Sequence, residues 1–266
     1  MDVEKIIPDI PDELKTEIYH DALKPAVSET GQVGGLLVRT LHNLMLPLEE
    51  WNLNKEYRRK ELIQELNRKL EGKKEEELEP PEMYVALPAI QGFSYSMDNE
   101  VLRNLYANLL ANAMLKKKKF AVHPAFAEII KQMSPLDALM FKELYEKSLM
   151  FRVAIVDLRL KKPDGGFITR GKNITGLSFN LHQYQAQSID NLIRLGLVSI
   201  ADEYFTDDTL YQIIFASREY KLTSIAINVV HNTSDEFKIE PVKKMLYISD
   251  LGVAFYDTCV KDVEQD

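Results

Sequence analysis

The chain has almost no cysteine and no excess of positive charge, and both absences exclude classes of protein. Its only cysteine, Cys259, cannot form an internal disulfide, which favours a reducing compartment. One thiol and five scattered histidines give no metal-ligand spacing. The net charge of −8 opposes bulk binding of nucleic acid, because phosphates require a positive field. We therefore predict a cytoplasmic protein with no metal or other cofactor, and nucleic acid is not its expected partner.

The sequence also lacks a long hydrophobic run. Residues 1–14 carry acidic side chains and two prolines, whereas a secretory signal begins with basic residues and an apolar run. The longest apolar stretch, residues 34–48, contains Arg39 and Pro47 and is too short and too polar to span a bilayer. Glycines precede it and Trp51 follows it. The segment 31–51 therefore has two interpretations, a closely packed core helix or an amphipathic segment in peripheral contact with a membrane.

Glycine is scarce, with 11 in 266 residues, and hydrophobic residues make up 45% of the chain, which is typical of a folded protein. Helical periodicity dominates residues 1–150. It predicts a highly charged helix over 54–79 with a narrow apolar stripe at Leu62, Leu66 and Leu70, and a helix with a broad apolar face that is capped by Asp98 and runs to Lys116. Short helices are expected to begin near Pro124 and Pro135, and the core face of the second is expected at Leu136, Leu139, Met140 and Leu144. The stretch 83–93 follows a Pro-Pro pair and is expected to be extended or irregular. Residues 1–150 are therefore predicted to form a helical bundle.

The pattern changes in residues 151–266. Alternating or continuous apolar residues predict strands at 152–160, 197–200, 209–215 and 245–248, the first of them buried on both faces. A helix over 181–195 is expected to end at Gly196, and a last helix to begin at Asp250. Residues 224–230 fit either a strand or a helix. The resulting order of helices and strands resembles a winged helix. The predicted fold class is thus mainly α, with a helical bundle followed by a winged-helix-like α+β domain at 151–266.

Two central segments, EVLRNLYANLLANAM and FAVHPAFAEIIKQMSPLDALMFKEL, resemble the signature of the Abi-alpha family of bacterial abortive-infection proteins. The upstream segment LKPAVSETGQVGGLLVRTLHNLMLPLEEW and the downstream segments SIDNLIRLGLVSI and YISDLGVAFYDTC are similar to its flanking regions. The resemblance covers about residues 20–260. It implies a role in defence against bacteriophage, in which the infected cell dies or stalls before phage release. It supplies no catalytic residues.

His123, Pro124 and Phe126 lie inside the most specific part of that resemblance and are predicted to form a tentative functional surface. His123 would be a general base or ligand, or else a turn residue whose ring packs on the following helix. A nuclease core was sought at Asp157 and in the acidic-x-Lys order of residues 235–238, but the required common cleft is not predictable from the sequence. Cys259, on an apolar helix face, is expected in the core.

The expected function is therefore a non-enzymatic interaction protein, a sensor or effector of phage defence that binds a protein of the host or the phage. Two alternatives are a membrane-active toxic effector that uses segment 31–51 and a winged-helix DNA-binding regulator. DNA binding is opposed by the acidic C-terminal part and supported only by the basic stretch 151–177. An unrecognised hydrolase would require polar groups that converge in a pocket. Whether the chain forms a homo-oligomer stays open.

Overall fold

The computed structural model describes residue 40 and residues 55–162, 164–177, 184–230 and 238–263. In these residues the fold is mainly α, with nine α-helices and one curled four-stranded antiparallel sheet. The chain divides into two compact units. Unit 1 comprises residues 1–135 and 254–266, and unit 2 comprises residues 136–253. The unit boundaries lie after residues 135 and 253, whereas the sequence predicted one boundary after residue 150.

Unit 1 is helical in the residues described. Its helices are α1 (Lys55–Lys69), α2 (Met83–Tyr95), α3 (Glu100–Met114) and α4 (Ala125–Lys131), followed much later by a π-helical turn (Tyr256–Val260). Short 3-10 turns lie at Glu75–Glu77 and Lys119–Ala121. All ten residues from Leu105 to Met114 are buried, so α3 forms the centre of this unit. The broad apolar face predicted for this helix is confirmed.

The charged helix is shorter than predicted. Helix α1 ends at Lys69, not at residue 79, and Gly72 follows with φ +81. A left-handed residue of this kind commonly terminates a helix, and only glycine adopts it without strain. The predicted apolar stripe is nevertheless correct, because Leu62, Leu66 and Leu70 are each at most 1% exposed. The cap of α3 also differs by one residue: Asn99, not Asp98, accepts a hydrogen bond from the N–H of Leu102 at 3.1 Å.

The expectation of an irregular segment at 83–93 is wrong, because these residues form helix α2. Pro88 lies inside α2, a position that costs about 3 kcal/mol in a helix interior. Burial of five apolar side chains at helical spacing offsets this cost; they are Val85, Ala86, Ala89, Ile90 and Phe93. Gly92 completes the packing, since a Cβ there would lie 2.1 Å from Cζ of Tyr106.

Unit 2 contains the sheet. Its elements are α5 (Pro135–Glu146, whose first residue ends unit 1), β1 (Arg152–Lys161), β2 (Phe167–Ile174), α6 (Gln185–Arg194), β3 (Val198–Ala201), α7 (Thr209–Ala216), α8 (Arg218–Val230) and β4 (Lys238–Ile248). The strand order is β2-β1-β4-β3, with every pair antiparallel. The central strand β1 is buried on both faces, as predicted. Helix α9 (Asp250–Phe255) follows β4.

One predicted strand is a helix. Residues 209–215 belong to α7, and the alternative left open for residues 224–230 is resolved as helix α8. Tyr211 and Ile214 are buried at helical spacing in α7, and Asp207, which lies before the helix, accepts hydrogen bonds at Oδ1 from both the N–H and the hydroxyl of Thr209. The strand before this helix, β3, pairs with β4. The mixed α+β character of this part of the chain is thus confirmed.

Two helix boundaries follow the sequence closely. Gly196 has φ +74 directly after α6, as its left-handed C′ role predicts. At α9 the cap is one residue earlier than predicted, because Ser249 Oγ accepts the N–H of Gly252 at 2.9 Å.

The expected core face of α5 is partly wrong: Met140 and Leu144 are buried, but Leu139 is 43% exposed and Phe141 is buried in its place.

Candidate functional site

Helix α8 presents apolar side chains to solvent as well as to the core. Ile227 is 7% exposed and belongs to a buried cluster with Leu158, Ile174 and other residues of the sheet. On the opposite side, Leu222, Ile225, Ala226 and Val229 are all exposed and recur at i, i+3, i+4 and i+7. Val229 is 70% exposed, and Ile225 is 57% exposed. We call these four residues the α8 outer face.

Two exposed cations lie next to the α8 outer face. Arg218 and Lys221 are exposed and precede Leu222 and Ile225 by one helical turn. Helix α8 crosses the edge strand β2 closely, since a Cβ at Gly171 would lie 2.8 Å from the methyl group of Thr223. Exposed Arg170 and Lys172 flank Gly171 in β2, and because side chains alternate along a strand they project to the face of β2 opposite α8. The exposed surface of α8 is therefore apolar with two cations, although the chain as a whole carries −8.

The inner side of α8 holds a buried carboxyl group. Glu219, in the first turn of α8, is 6% exposed and meets the amide of Gln185, the first residue of α6, which is fully buried. One terminal atom of this amide lies 2.5 Å from Oε2 and 2.9 Å from Oε1 of Glu219. The N–H groups of Thr175 and Gly176 also bind the carboxyl. Three segments of unit 2 therefore meet at this group.

Burial controls the protonation of Glu219. Removal from water disfavours the charged form and raises the pKa of Glu219 from 4.5 to about 7, although the N–H groups of Thr175 and Gly176 act in the opposite direction. A buried carboxyl that titrates near neutral pH is an uncommon feature. Sequence reasoning missed it, because Glu219 becomes an inward residue only once residues 218–230 are known to be helical.

A second buried carboxylate is neutralised by a cation. Asp157, 5% exposed on β1, lies 3.0 Å from Nζ of Lys244 on β4. Its other oxygen accepts the backbone N–H of Asn173 at 3.0 Å, where Asn173 has φ +56 and the β1–β2 register shifts. Both carboxylate oxygens are thus used to hold the sheet and its bulge. Asp157 therefore has a structural explanation in place of the nuclease role considered above, and residues 235–237 of the acidic-x-Lys order lie outside the described residues.

The structure separates the three residues of the tentative functional surface. His123 and Pro124 are exposed, whereas Phe126 is fully buried and packs edge-on against Phe255, with ring centroids 5.5 Å apart. The Nδ1 atom of His123 accepts the N–H of Ala125 at 3.1 Å, and its ring lies 5.8 Å from that of Phe126. His123 therefore occupies a turn at the start of α4, which is the structural alternative given above.

A stripe of asparagines in α3 is a further feature of unit 1. Asn108 Nδ2 donates to the carbonyl of Cys259 at 3.0 Å, and Asn112 Nδ2 donates to the carbonyl of Thr258 at 2.8 Å. Both asparagines are buried. They bind the π-helical turn, whose carbonyls lack the usual α-helical partners. The four-residue spacing is visible in the sequence NLYANLLAN, and it could have indicated a polar contact inside this apolar helix.

Cys259 is fully buried, and burial raises the pKa of its thiol, so the prediction that it belongs to the core is confirmed. In the described part of the chain, no group of three or more His, Cys, Asp or Glu side chains could hold a metal ion. The same residues include no helix with the length and apolar composition needed to cross a membrane. Segment 31–51 lies outside the described residues, except for Thr40, which is helical and buried.

Comparisons with known proteins identify a family. Among curated proteins, none matches the chain. A solved structure of an uncharacterized protein from the hydrocarbon-degrading marine bacterium Alcanivorax borkumensis SK2 is 16% identical over 51% of this chain and 92% of that chain, with a TM-score of 0.30. The model of the family described as abortive infection alpha matches residues 54–259, most of the chain. The chain belongs to the abortive infection alpha family.

Proposed function

We propose that this chain is a non-enzymatic effector or sensor of abortive infection, which acts by binding a partner protein through the α8 outer face. Membership of the abortive infection alpha family supports the biological role. The α8 outer face carries the proposal, because it is a continuous apolar stripe on a helix whose other side is already packed. Exposed apolar stripes of this kind commonly mark binding surfaces.

The charges around the stripe define the chemistry of the partner. Residues 209–230 contain Arg218, Lys221 and one acidic residue, the buried Glu219. The matching surface would therefore present apolar side chains flanked by carboxylates, as the face of an acidic amphipathic helix does. Such a partner gains affinity from apolar burial, and its association rate and selectivity depend on charge.

Site-specific photocrosslinking tests the surface directly. A photoreactive amino acid at Val229 should give one defined crosslinked protein in phage-infected cells, and the same residue at the fully exposed Phe120 of unit 1 should not. The crosslinked protein, once identified and purified, should bind the chain with an affinity that falls as salt rises. Ile225→Asp should abolish both binding and protection against phage. Equal crosslinking at the two positions, or full protection by Ile225→Asp, would contradict the proposal.

Lys221→Glu tests the electrostatic part, with Lys117→Glu in unit 1 as the matched control, since both lysines are exposed. We expect Lys221→Glu to slow association and Lys117→Glu to leave it unchanged. Binding of the chain to vesicles that contain anionic lipid, but to no protein, would instead identify a membrane surface as the ligand of this face. That result would reject a protein partner.

Two earlier alternatives stay as separate predictions. A membrane-active effector through segment 31–51 concerns residues outside those described, and leakage of lipid vesicles tests it. A winged-helix DNA-binding regulator would need the α6 region to enter a groove of DNA. Residues 184–195 contain Asp190 and Arg194 as their only charges, and Arg194 binds the side chain of Asn191 at 2.8 Å. Failure to bind DNA even at low salt would reject the regulator.

A further inference from the structure

The face of the β1–β2 hairpin opposite α8 is basic. Leu158 of β1 belongs to the buried cluster that includes Ile227 of α8, so the next residue, Arg159, projects to the other side of the sheet. Lys161 also projects to that side and pairs directly with Phe167 of β2. Together with the two β2 cations described above, these residues form what we call the basic hairpin face: Arg159, Lys161, Phe167, Arg170 and Lys172.

The basic hairpin face presents an exposed aromatic ring beside an arginine. Phe167 is 57% exposed, and Cζ of Arg159 lies 4.4 Å from the centroid of its ring, which is a cation–π contact. No described residue accepts a hydrogen bond from Arg159, and its Nε is buried without a partner. The guanidinium is therefore held in place by an aromatic ring and not by a carboxylate. It covers one side of the ring, and the exposed area belongs to the rest of it.

The remaining cations of this face are available to an anion. Lys161, Arg170 and Lys172 are exposed, and none of them forms an ion pair with a described residue. Residues 162–166 of the turn and residues 238–240 of β4 each add one cation and one anion, so they leave the balance of charge unchanged. At an ionic strength of about 0.1 M, charges more than about 10 Å away are largely screened. Local positive charge therefore decides what binds here, although the chain as a whole carries −8.

We propose that the basic hairpin face binds single-stranded RNA, with a base stacked on Phe167 and the neighbouring phosphates bound by the cations. An unpaired nucleotide offers both groups that this face can bind, a flat ring and a negative charge. The planar guanidinium of Arg159 suits a phosphate, which it can bind through two hydrogen bonds. A duplex keeps its bases stacked inside and would meet only the cations. The surface lies on the other side of the sheet from α8 and does not depend on the partner proposed for the α8 outer face.

The groups beside Arg159 favour RNA over DNA. Arg159 pairs with Thr169 on one side and with Glu240 on the other. The 2′-hydroxyl of ribose can donate a hydrogen bond to the Glu240 carboxylate, and it can donate to or accept from the Thr169 hydroxyl. Deoxyribose lacks this hydroxyl, so Glu240 would only repel the phosphates of a DNA strand.

Fluorescence anisotropy of the full-length chain with a labelled strand of about 15 uridines tests the proposal. We expect binding at about 50 mM salt that weakens steeply towards about 200 mM, because phosphates are contacted. Phe167→Ala should weaken binding about tenfold through the loss of stacking. Phe120→Ala is the matched control, because Phe120 of unit 1 is fully exposed and lies outside this face, and it should leave binding unchanged. Lys172→Glu, a change at an exposed side chain, should also weaken binding, and circular dichroism should show that all three variants stay folded.

Several results would overturn the proposal. The chain could fail to bind the uridine strand even at low salt. The same strand paired with its complement could bind equally well, which would leave no role for an exposed ring. Phe167→Ala and Lys172→Glu could bind like the wild type, or Phe120→Ala could weaken binding instead, and either result would place the site elsewhere. A strand of thymidines could bind as tightly as RNA, which would reject a role for the 2′-hydroxyl, and equal binding of polyglutamate would identify an acidic protein segment as the ligand. A preference for RNA over DNA that narrows in Glu240→Gln would support it.

Discussion

Two buried polar clusters, one in each unit, are built from different groups. In unit 1, Asn108 and Asn112 use neutral amides to bind the carbonyls of the π-helical turn. In unit 2, Asp157 and Glu219 place carboxyls in the interior: Asp157 is paired with Lys244, and Glu219 meets an amide and two backbone N–H groups. An amide carries no charge at any accessible pH, whereas a buried carboxyl destabilises the folded state whenever it ionises.

This difference between amides and carboxyls predicts which of these groups make the stability of the protein depend on pH. A neutral hydrogen bond contributes about 1 kcal/mol net and does not titrate. A buried carboxylate with a cation resists protonation, and one without a cation favours it. Substitutions that remove each kind of group should therefore give different losses of stability and different dependences on pH.

The largest expected effect is at Asp157. Asp157→Ala removes the closer of the two carboxylates that pair with Lys244, whose side chain is 17% exposed and keeps Asp202 at 3.5 Å. It also leaves the N–H of Asn173 without its acceptor. Removal of one partner of a buried ion pair typically costs about 3–5 kcal/mol. Denaturant unfolding followed by circular dichroism should show this loss. Asp164→Ala is the control, because Asp164 is exposed in the β1–β2 turn, and its expected cost is below about 1 kcal/mol. Equal losses would refute a structural role for the Asp157 pair.

The next effect concerns Glu219 and depends on pH. Because the folded-state pKa of about 7 exceeds the unfolded value of 4.5, the protonated carboxyl stabilises the fold at low pH. This contribution is lost as the pH rises from about 4.5 to about 7, and its full size is about 3 kcal/mol. Glu219→Gln cannot ionise. We expect it to be more stable than the wild type at pH 8 and close to it at pH 5.

Parallel unfolding curves of Glu219→Gln and wild type across this range would contradict the burial of an ionisable Glu219. Glu240→Gln serves as the control, because Glu240 is exposed on β4 and lacks a buried environment. Its unfolding free energy, relative to wild type, should change little between pH 5 and pH 8. The comparison separates the effect of one buried carboxyl from the general titration of the acidic chain.

The sequence predicted those parts of the fold in which local pattern and packing agree. The apolar face of α3, the doubly buried strand β1 and the left-handed Gly196 follow from periodicity and from backbone sterics. Residues 83–93 and 209–215 were misassigned because their local signals, a proline and a short apolar run, are ambiguous. Burial of a whole helix face decided the first, and burial of Tyr211 and Ile214 on one side of a helix decided the second.

The candidate site was harder to predict, because it depends on contacts between distant segments. Glu219 and Gln185 are 34 positions apart, and no motif joins them. The outer face of α8 looks like an ordinary core stripe until β2 and the other strands are seen to cover only its inner side. In contrast, the turn role of His123 was among the sequence interpretations, because an exposed side chain before Pro124 is a local feature.

A smaller effect is expected for the asparagine stripe. Asn112→Ala leaves the Thr258 carbonyl without its donor and should cost about 1–2 kcal/mol. Since neither the asparagine nor the alanine that replaces it titrates, the loss of stability should be the same at pH 5 and pH 8, in contrast to Glu219→Gln. Asn228→Ala, on the exposed side of α8, is the matched control and should change stability by less than about 0.5 kcal/mol. A loss for Asn112→Ala that varies with pH would mean that it disturbs a titrating group.

The smallest effect on stability is expected at the α8 outer face. Ile225 and Ile227 lie on two sides of this one helix and allow a direct comparison. Ile225→Ala alters a residue that is 57% exposed and should change the free energy of unfolding by less than about 0.5 kcal/mol. Ile227→Ala, two positions later, removes a side chain from the buried cluster and should cost about 2–4 kcal/mol. Binding of the partner should show the opposite order, with Ile225→Ala the more harmful while both proteins remain folded. If the α8 outer face served the packing of the fold in the same way as the inner side, the two variants would lose equal stability, and thermal unfolding of both distinguishes these cases.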